Sequence, residues 1–212
     1  MYVLAFLTAI TVHEFAHARM ALAAGDETAK RQGRVSLNPL DHLDPLGTIM
    51  FVFALLGRMG IAWGKPVPVN PNNFRSPRWD SLKVSIAGVI SNLITAVLLT
   101  LVLRFFLVPL GPTLGELLVI CIRFNVALAV FNMLPVPPLD GSKVLSSLLP
   151  VETARKYDYT MAKYGMLILI ALLVIHAPGG GSIIGLIIGP PIDGIAHLLF
   201  RLALPLPSIT PA

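Results

Sequence analysis

The stretch "SLKVSIAGVISNLITAVLLTLVLRFFLV", residues 81–108, is a long, clean apolar run that decides the fold class of the chain. Its only formal charges are Lys83 and Arg104, which lie toward its two ends. A helix rises about 1.5 Å per residue, so a run of this length can cross the ~30 Å hydrocarbon core of a bilayer. We therefore interpret it as a membrane-spanning helix.

The composition extends this interpretation to the whole chain of 212 residues. Hydrophobic residues make up 55% and charged residues only 13%, whereas soluble domains carry about a quarter charged residues. The mean hydropathy is +0.79, so there is too little polar surface to cover a globule in water. The net charge of +5 comes from basic residues in the loops between apolar runs, which is typical of topology-setting charges and argues against nucleic-acid binding.

The remaining apolar runs predict an all-α membrane protein, a polytopic helical bundle of five or six spans. Full spans are predicted for residues 1–24, 81–108, 114–134, 161–177 and 183–204. Residues 46–63 form a shorter run that is broken by Gly57, Arg58 and Gly60. If they only re-enter the membrane, every basic loop falls on one side. We therefore favour five spans plus one re-entrant segment, with the N-terminus outside and the C-terminus inside, over six spans.

The organisation along the chain predicts one metal-dependent core followed by an extension. Residues 1–150 form the expected core, with three catalytic spans at 1–24, 81–108 and 114–145, and residues 151–212 add two C-terminal spans. The first segment has no basic leader and no small-residue cleavage site, so we expect it to be a retained span. Because it begins only twelve residues before His13, we expect a chain that is either trimmed or without an outer gating span.

The first span contains "HEFAH", residues 13–17, an unusual set of ionisable side chains for a membrane helix. Residues four apart share a helix face, so His13 and His17 can hold one metal ion, and Glu14 is close enough to reach its bound water. Ionisable residues cost about 2.5–3.5 kcal/mol each within a span and usually face a partner or a cavity. A structural histidine bonded to a helix carbonyl would account for one of the three residues. A catalytic zinc site with one protein ligand still missing accounts for all of them.

The segment "NMLPVPPLDG", residues 132–141, offers a candidate for the missing ligand. Its prolines break the helix, and irregular backbone at membrane depth is tolerated only where protein or cavity water covers it. Asp140 lies toward the same basic side as His13 and His17, so it could bend inward onto a metal. An ordinary interfacial turn that begins the next helix explains Asp140 and Gly141 equally well from position alone.

Together, "HEFAH" in a first span and "NMLPVPPLDG" some 120 residues later resemble the site-2 protease family of intramembrane zinc metalloproteases. A third family feature, Gly and Asn four apart in the middle core span, matches Gly88 and Asn92. The stretches "GRVSLNPLDHLDPLGT" and "WGKPVPVNPNNF" are similar to the compact prokaryotic branch. The resemblance covers roughly residues 1–150.

The resemblance implies a role for each matching residue. His13, His17 and Asp140 would bind Zn²⁺, and Glu14 would act as general base and then protonate the leaving amine. Asn132 would hold the substrate backbone or the developing oxyanion, and we place Asn92 with it among the substrate-binding residues.

The proline-containing stretch "KPVPVN", residues 65–70, is a candidate extended strand beside this site. A transmembrane helix hides its carbonyls in its own hydrogen bonds, so it must unwind before attack, and a strand edge can supply replacement hydrogen bonds. We therefore assign Val67 and Val69 to substrate binding. A stiff loop that covers the site without pairing is the alternative.

These features predict a zinc metalloendopeptidase that cleaves single-span membrane proteins inside the lipid bilayer, as in regulated intramembrane proteolysis. We expect a multi-pass protein of a prokaryotic cell membrane whose active site lies toward the cytoplasmic side. A transporter or ion channel is the first rival, because intramembrane His, Glu and Asp also mark ion paths. The second rival is a catalytically inactive family member that acts as a binding protein.

Overall fold

The computed structural model describes residues 1–56, 63–176 and 181–203, and every regular element in them is helical. The helices are α1 (Tyr2–Ala23), α2 (Thr28–Arg31), α3 (Pro45–Leu55), α4 (Pro77–Asn132), α5 (Asp140–Leu148), α6 (Val151–Val174) and α7 (Ile183–Ala203), with 3-10 turns at Pro39–His42 and Pro71–Asn73. Pairing between extended residues in this part of the chain is limited to isolated bridges, such as Leu43 with Gly64. The predicted all-α membrane fold is confirmed.

Helix α4 consists of two antiparallel arms joined at a sharp break. Gly111, at the break, has a φ of 72°, a conformation that glycine adopts without a Cβ clash. The first arm, Pro77–Phe106, and the second arm, Gly111–Asn132, are each long and apolar enough to cross a membrane. They correspond to the two spans predicted at residues 81–108 and 114–134.

Helices α6 and α7 also meet the length and hydropathy requirements of a span, so four helices do so in the described parts of the chain. Helix α1 has 22 residues, but its histidines, Glu14 and Arg19 lower its hydropathy below that of the other four. Helix α3 has only 11 residues, which is about 16 Å of helix and too short to cross. It is the described half of the predicted re-entrant segment; residues 57–62 lie outside the described residues.

The last two helices differ from the predicted pair of antiparallel spans. Ile184, at the start of α7, packs with Leu139 beside Asp140, and Ala203, at its end, packs with Leu103 at the far end of the first arm. Helix α7 therefore runs parallel to the first arm, and the predicted direction of residues 183–204 is wrong. Although α6 is long and apolar enough to span, its apolar end packs with Val136 and Leu139 beside Asp140. Helix α7 therefore starts from the same end of the bundle as the first arm.

The bundle is apolar at one end and polar at the other. At the apolar end, the two arms of α4 and helix α7 share one buried cluster of Ala96, Leu103, Ile122, Val126, Leu199 and Ala203. At the polar end, Arg78 donates hydrogen bonds to the carbonyls of Ser147 and Leu149 and so ties the first arm to the end of α5. Helix α1 packs against both arms and brings its histidines to the polar end.

Candidate metal centre

Three side chains from two distant segments converge beside α1. Asp140 Oδ2 lies 3.1 Å from Nε2 of His13 and 3.1 Å from Nε2 of His17. The two Nε2 atoms are 3.0 Å apart. Both histidines are buried, and they and Asp140 form the one metal-ligating group of this kind among the described residues.

The tautomer of His13 is fixed by a chain of buried amides. Its Nδ1 donates to Asn92 Oδ1 over 2.7 Å. The Nδ2 of Asn92 donates to the carbonyl of Ala9 and to Asn125 Oδ1, and Asn125 Nδ2 donates to the carbonyl of Cys121. Because each final acceptor is a carbonyl oxygen, the orientation of both amides is determined. His13 therefore carries its proton on Nδ1 and presents a lone pair at Nε2.

His17 is oriented in the same way by the main chain of the first arm. Its Nδ1 lies 2.7 Å from the carbonyl oxygen of Val84, which can only accept, so the proton is on Nδ1 and the lone pair is on Nε2. The close approach of the arm depends on Gly88. A Cβ at residue 88 would lie 2.5 Å from His17 Nε2 and 2.7 Å from His13 Cε1, so only glycine fits against the two rings.

Asp140 reaches the histidines because the chain breaks between the second arm and α5. The arm ends at Asn132, and α5 begins at Asp140, so the intervening prolines turn the backbone back toward α1. Gly141 allows the fold-back, since a Cβ there would lie 2.2 Å from the carbonyl oxygen of Met133. Asp140 therefore begins the next helix and also bends inward to both histidines.

The three converging atoms fit a metal ion better than they fit one another. Two imidazole lone pairs and a carboxylate oxygen meet at this point. The Nδ1 protons of the two rings are donated to Asn92 Oδ1 and to the carbonyl of Val84. Like acceptors repel unless a cation lies among them. Ligand atoms about 2.0–2.1 Å from a tetrahedral zinc are about 3.3 Å apart, close to the observed separations of 3.0–3.1 Å. The donor set is thus suited to Zn²⁺ with one position left open.

Glu14 lies in the same cavity without joining the triad. The cavity has a volume of about 280 Å³, and the three triad residues and Glu14 line it. Glu14 Oε2 accepts a hydrogen bond of 2.8 Å from the main-chain N–H of Val67. The side chain is therefore held next to the triad and beside the segment at residues 65–70.

The segment at residues 65–70 forms one wall of the cavity, and Val67 and Val69 line it. Its prolines have fixed φ angles and keep the residues before them extended. Asn132 also lines the cavity; one of its Nδ2 protons goes to the carbonyl of Leu128, which leaves the second proton free to donate.

Asn92 is placed differently from the sequence expectation. It is fully buried behind His13, and its amide bonds go to protein atoms. Asn125, which sequence reasoning missed, completes this support. The only signal for it was an amide inside an apolar span, seven residues and two helical turns before Asn132,.

Comparisons with known proteins agree with this geometry. A family model described as peptidase family M50 matches residues 111–176. The chain is 37% identical to "Putative zinc metalloprotease YwhC" of Bacillus subtilis (strain 168), over 96% of this chain and 93% of that protein. It is 30% identical to "Putative zinc metalloprotease Rip2" of Mycolicibacterium smegmatis, over 81% of this chain and 66% of that protein.

The protein also named Rip2 in Mycobacterium tuberculosis (strain H37Rv) is 28% identical, over 94% of this chain and 76% of its own length. No solved structure matches the chain significantly. The identity to the Bacillus protein runs through almost the whole of both chains, well beyond the matched motifs. The chain therefore belongs to peptidase family M50, the site-2 protease family that its two motifs predicted.

Proposed function

We propose that this protein hydrolyses peptide bonds of single-span membrane proteins within the bilayer, with Zn²⁺ held by His13, His17 and Asp140. The observation that carries the proposal is the convergence of these three side chains beside Glu14, inside a bundle of apolar helices. The relatives are named as zinc metalloproteases, which supports the metal and the reaction class.

A zinc ion in this site would polarise the scissile carbonyl and lower the pKa of a bound water to about 7. Glu14 takes the proton of the attacking water and passes it to the leaving amine. Asn132 donates its free Nδ2 proton to the substrate backbone or to the developing oxyanion. Asn92 and Val84 keep both imidazoles in the tautomer that leaves Nε2 open.

An unwound substrate would pair with the edge of residues 65–70. Alternate residues of an extended chain share an edge. On the edge of residues 65, 67 and 69, the N–H and C=O of Lys65 are bonded to His42 and Arg34, and the Val67 N–H is bonded to Glu14. Pairing is therefore confined to the Val67 carbonyl and the main-chain groups of Val69, which make no hydrogen bond with other described residues.

The site would lie toward the cytoplasmic face of a bacterial cell membrane. Basic residues gather at the polar end of the bundle, as expected of the cytoplasmic side. They are Arg75, Arg78, Lys83, Lys143, Arg155 and Lys156. The three relatives named above are bacterial proteins, which supports this location.

A transporter or channel is less well supported by the packing. Such a protein needs polar groups across the membrane depth. Here the buried amides end at Asn92 and Asn125. Beyond them the buried contact between the arms and α7 is formed by aliphatic side chains, and Arg123 and Asp193 form an ion pair on its exposed side. The test of the proposal is cleavage of a panel of single-span substrates by purified protein in detergent.

The decisive variant is Glu14→Gln, with Glu116→Gln as the matched control because Glu116 is exposed on the second arm, away from the cavity. We expect wild type and Glu116→Gln to cleave, and Glu14→Gln to keep its zinc and lose cleavage. Equal cleavage by Glu14→Gln and wild type would remove Glu14 from the mechanism. Metal-dependent transport without cleavage would favour the rival function.

A further inference from the structure

The main-chain N–H of Val67 has a contact that the reaction as described above does not require. It donates to Glu14 Oε2 over 2.8 Å. To accept a proton from water, the carboxylate needs only one oxygen turned toward the triad, and Oε1 remains available for that. The bond to Oε2 instead restricts a side chain that has three rotatable bonds.

The donor is itself held in place, because the segment at residues 65–70 is anchored at both ends. At the start, the buried Arg34 donates to the carbonyl of Lys65 over 2.7 Å, and the N–H of Lys65 donates to the carbonyl of His42. At the end, the N–H of Asn70 donates to the fully buried Asp26 over 2.7 Å. The Val67 N–H therefore has a fixed position relative to α1.

The sequence leaves Val67 as the one residue that can make this bond. Pro66 and Pro68 have no N–H, so Val67 carries the single main-chain donor between Lys65 and Val69,. Its side chain packs with Ala18, which lies on α1, and with Ala29. The peptide N–H is also turned to α1, while the prolines keep the backbone extended.

We propose that the main-chain N–H of Val67 is a positioning group for the Glu14 carboxylate. This inference rests on the proposed function and deepens it, because the wall that pairs with substrate through Val67 and Val69 also sets the orientation of the base. A charge-assisted hydrogen bond holds Oε2, so Oε1 faces the water attacking the scissile carbonyl. Loss of the N–H lowers kcat and leaves substrate pairing at the Val67 carbonyl and Val69 N–H intact.

The first test compares Val67→Pro with Val67→Ala. Both variants lose the valine side chain, but only proline removes the N–H, and its φ suits a segment already extended between two prolines. We expect kcat of Val67→Pro to be about 10- to 100-fold below that of Val67→Ala, the effect of one hydrogen bond to a charged group. The two variants should have the same apparent KM and the same zinc content.

A main-chain ester at residue 67, made by incorporating the α-hydroxy analogue of valine, gives a second test that keeps the side chain. Its kcat should fall below that of wild type by a similar factor. The ester decides the outcome if Val67→Pro does not fold or does not hold zinc.

Two results would overturn the inference. One is a kcat of Val67→Pro equal to that of Val67→Ala, or a kcat of the ester equal to that of wild type. The other is a higher kcat, which would mean that the bond restrains the base. Failure of the proposed function is distinguishable, because the zinc-loaded wild type would then not cleave any substrate.

Discussion

Replacement of Gly88 by alanine adds one methyl group directly against the metal ligands. The new Cβ would lie 2.5 Å from His17 Nε2, ~0.9 Å inside the 3.4 Å at which ordinary contact begins,. Neither ring can swing away freely, because His13 is held by Asn92 and His17 by the Val84 carbonyl. The first arm or the rings must therefore move by several tenths of an ångström.

Displacement on this scale should cost about 1–3 kcal/mol by overpacking. It should also weaken zinc binding by about 10- to 100-fold, as does the loss of an outer-shell ligand partner. The assay is competition for zinc between purified protein in detergent and a chromophoric chelator, with helix content followed by circular dichroism. Cleavage should fall together with zinc occupancy and recover in part when zinc is raised.

Gly194→Ala is the matched control, because a Cβ at residue 194 of α7 meets nothing within 4 Å. It should bind zinc as wild type does and be neutral or slightly more stable, since alanine favours a helix over glycine by about 1 kcal/mol. Wild-type zinc affinity in Gly88→Ala would refute the reasoning, because it would mean that the arm does not press against the two imidazoles.

Two further predictions follow from individual hydrogen bonds, and a third follows from the metal centre. Asn92→Leu removes the acceptor of the His13 Nδ1 proton, so zinc affinity should fall about 10- to 100-fold in the same chelator competition; unchanged affinity would contradict the support role. Asp26→Asn should destabilise the protein at neutral pH by about 1–3 kcal/mol, measured by thermal unfolding. Burial alone would raise the pKa of Asp26, but hydrogen bonds from Thr28, Asn70 and Asn73 hold this pKa below its ordinary value. The stability difference between Asp26→Asn and wild type should therefore shrink as pH falls below about 4. A stability difference that stays constant down to pH 2 would contradict the prediction. Removal of metal with a strong chelator should abolish cleavage, and stoichiometric zinc should restore it; activity that persists in metal-free protein would exclude a zinc enzyme.

The grouping of the three candidate ligands was predictable because each step depends on local sequence. The spacing of His13 and His17 places them on one helix face, and prolines 135, 137 and 138 end the second arm before Asp140. Position alone left the inward bend and the interfacial turn equally possible. The distances of 3.1 Å from Asp140 to the two histidines, which only the structure reveals, establish the inward bend.

Contacts between helices were harder to predict. The local sequence does not indicate that Asn92 turns its amide to His13, or that Asn125 on the second arm supports Asn92. An asparagine in an apolar span gives no sign in the sequence of which partner its amide will bind. The predicted direction of α7 was wrong because residues 178–182, which precede this helix, carry no Lys or Arg to indicate the side of the membrane. Without such charges the topology had to be inferred from the number of spans, whereas in the structure the apolar end of α6 packs beside Leu139 and not at the opposite end of the bundle.

The most direct test of the central claim is X-ray absorption spectroscopy at the zinc edge of the purified protein, compared with Asp140→Ala. The claim is that Asp140 completes one metal centre with His13 and His17. It predicts one zinc per chain, bound by two imidazole nitrogens and a carboxylate oxygen, with the oxygen contribution changed or the metal lost in the variant. Full zinc occupancy with an unaltered spectrum in Asp140→Ala would contradict it.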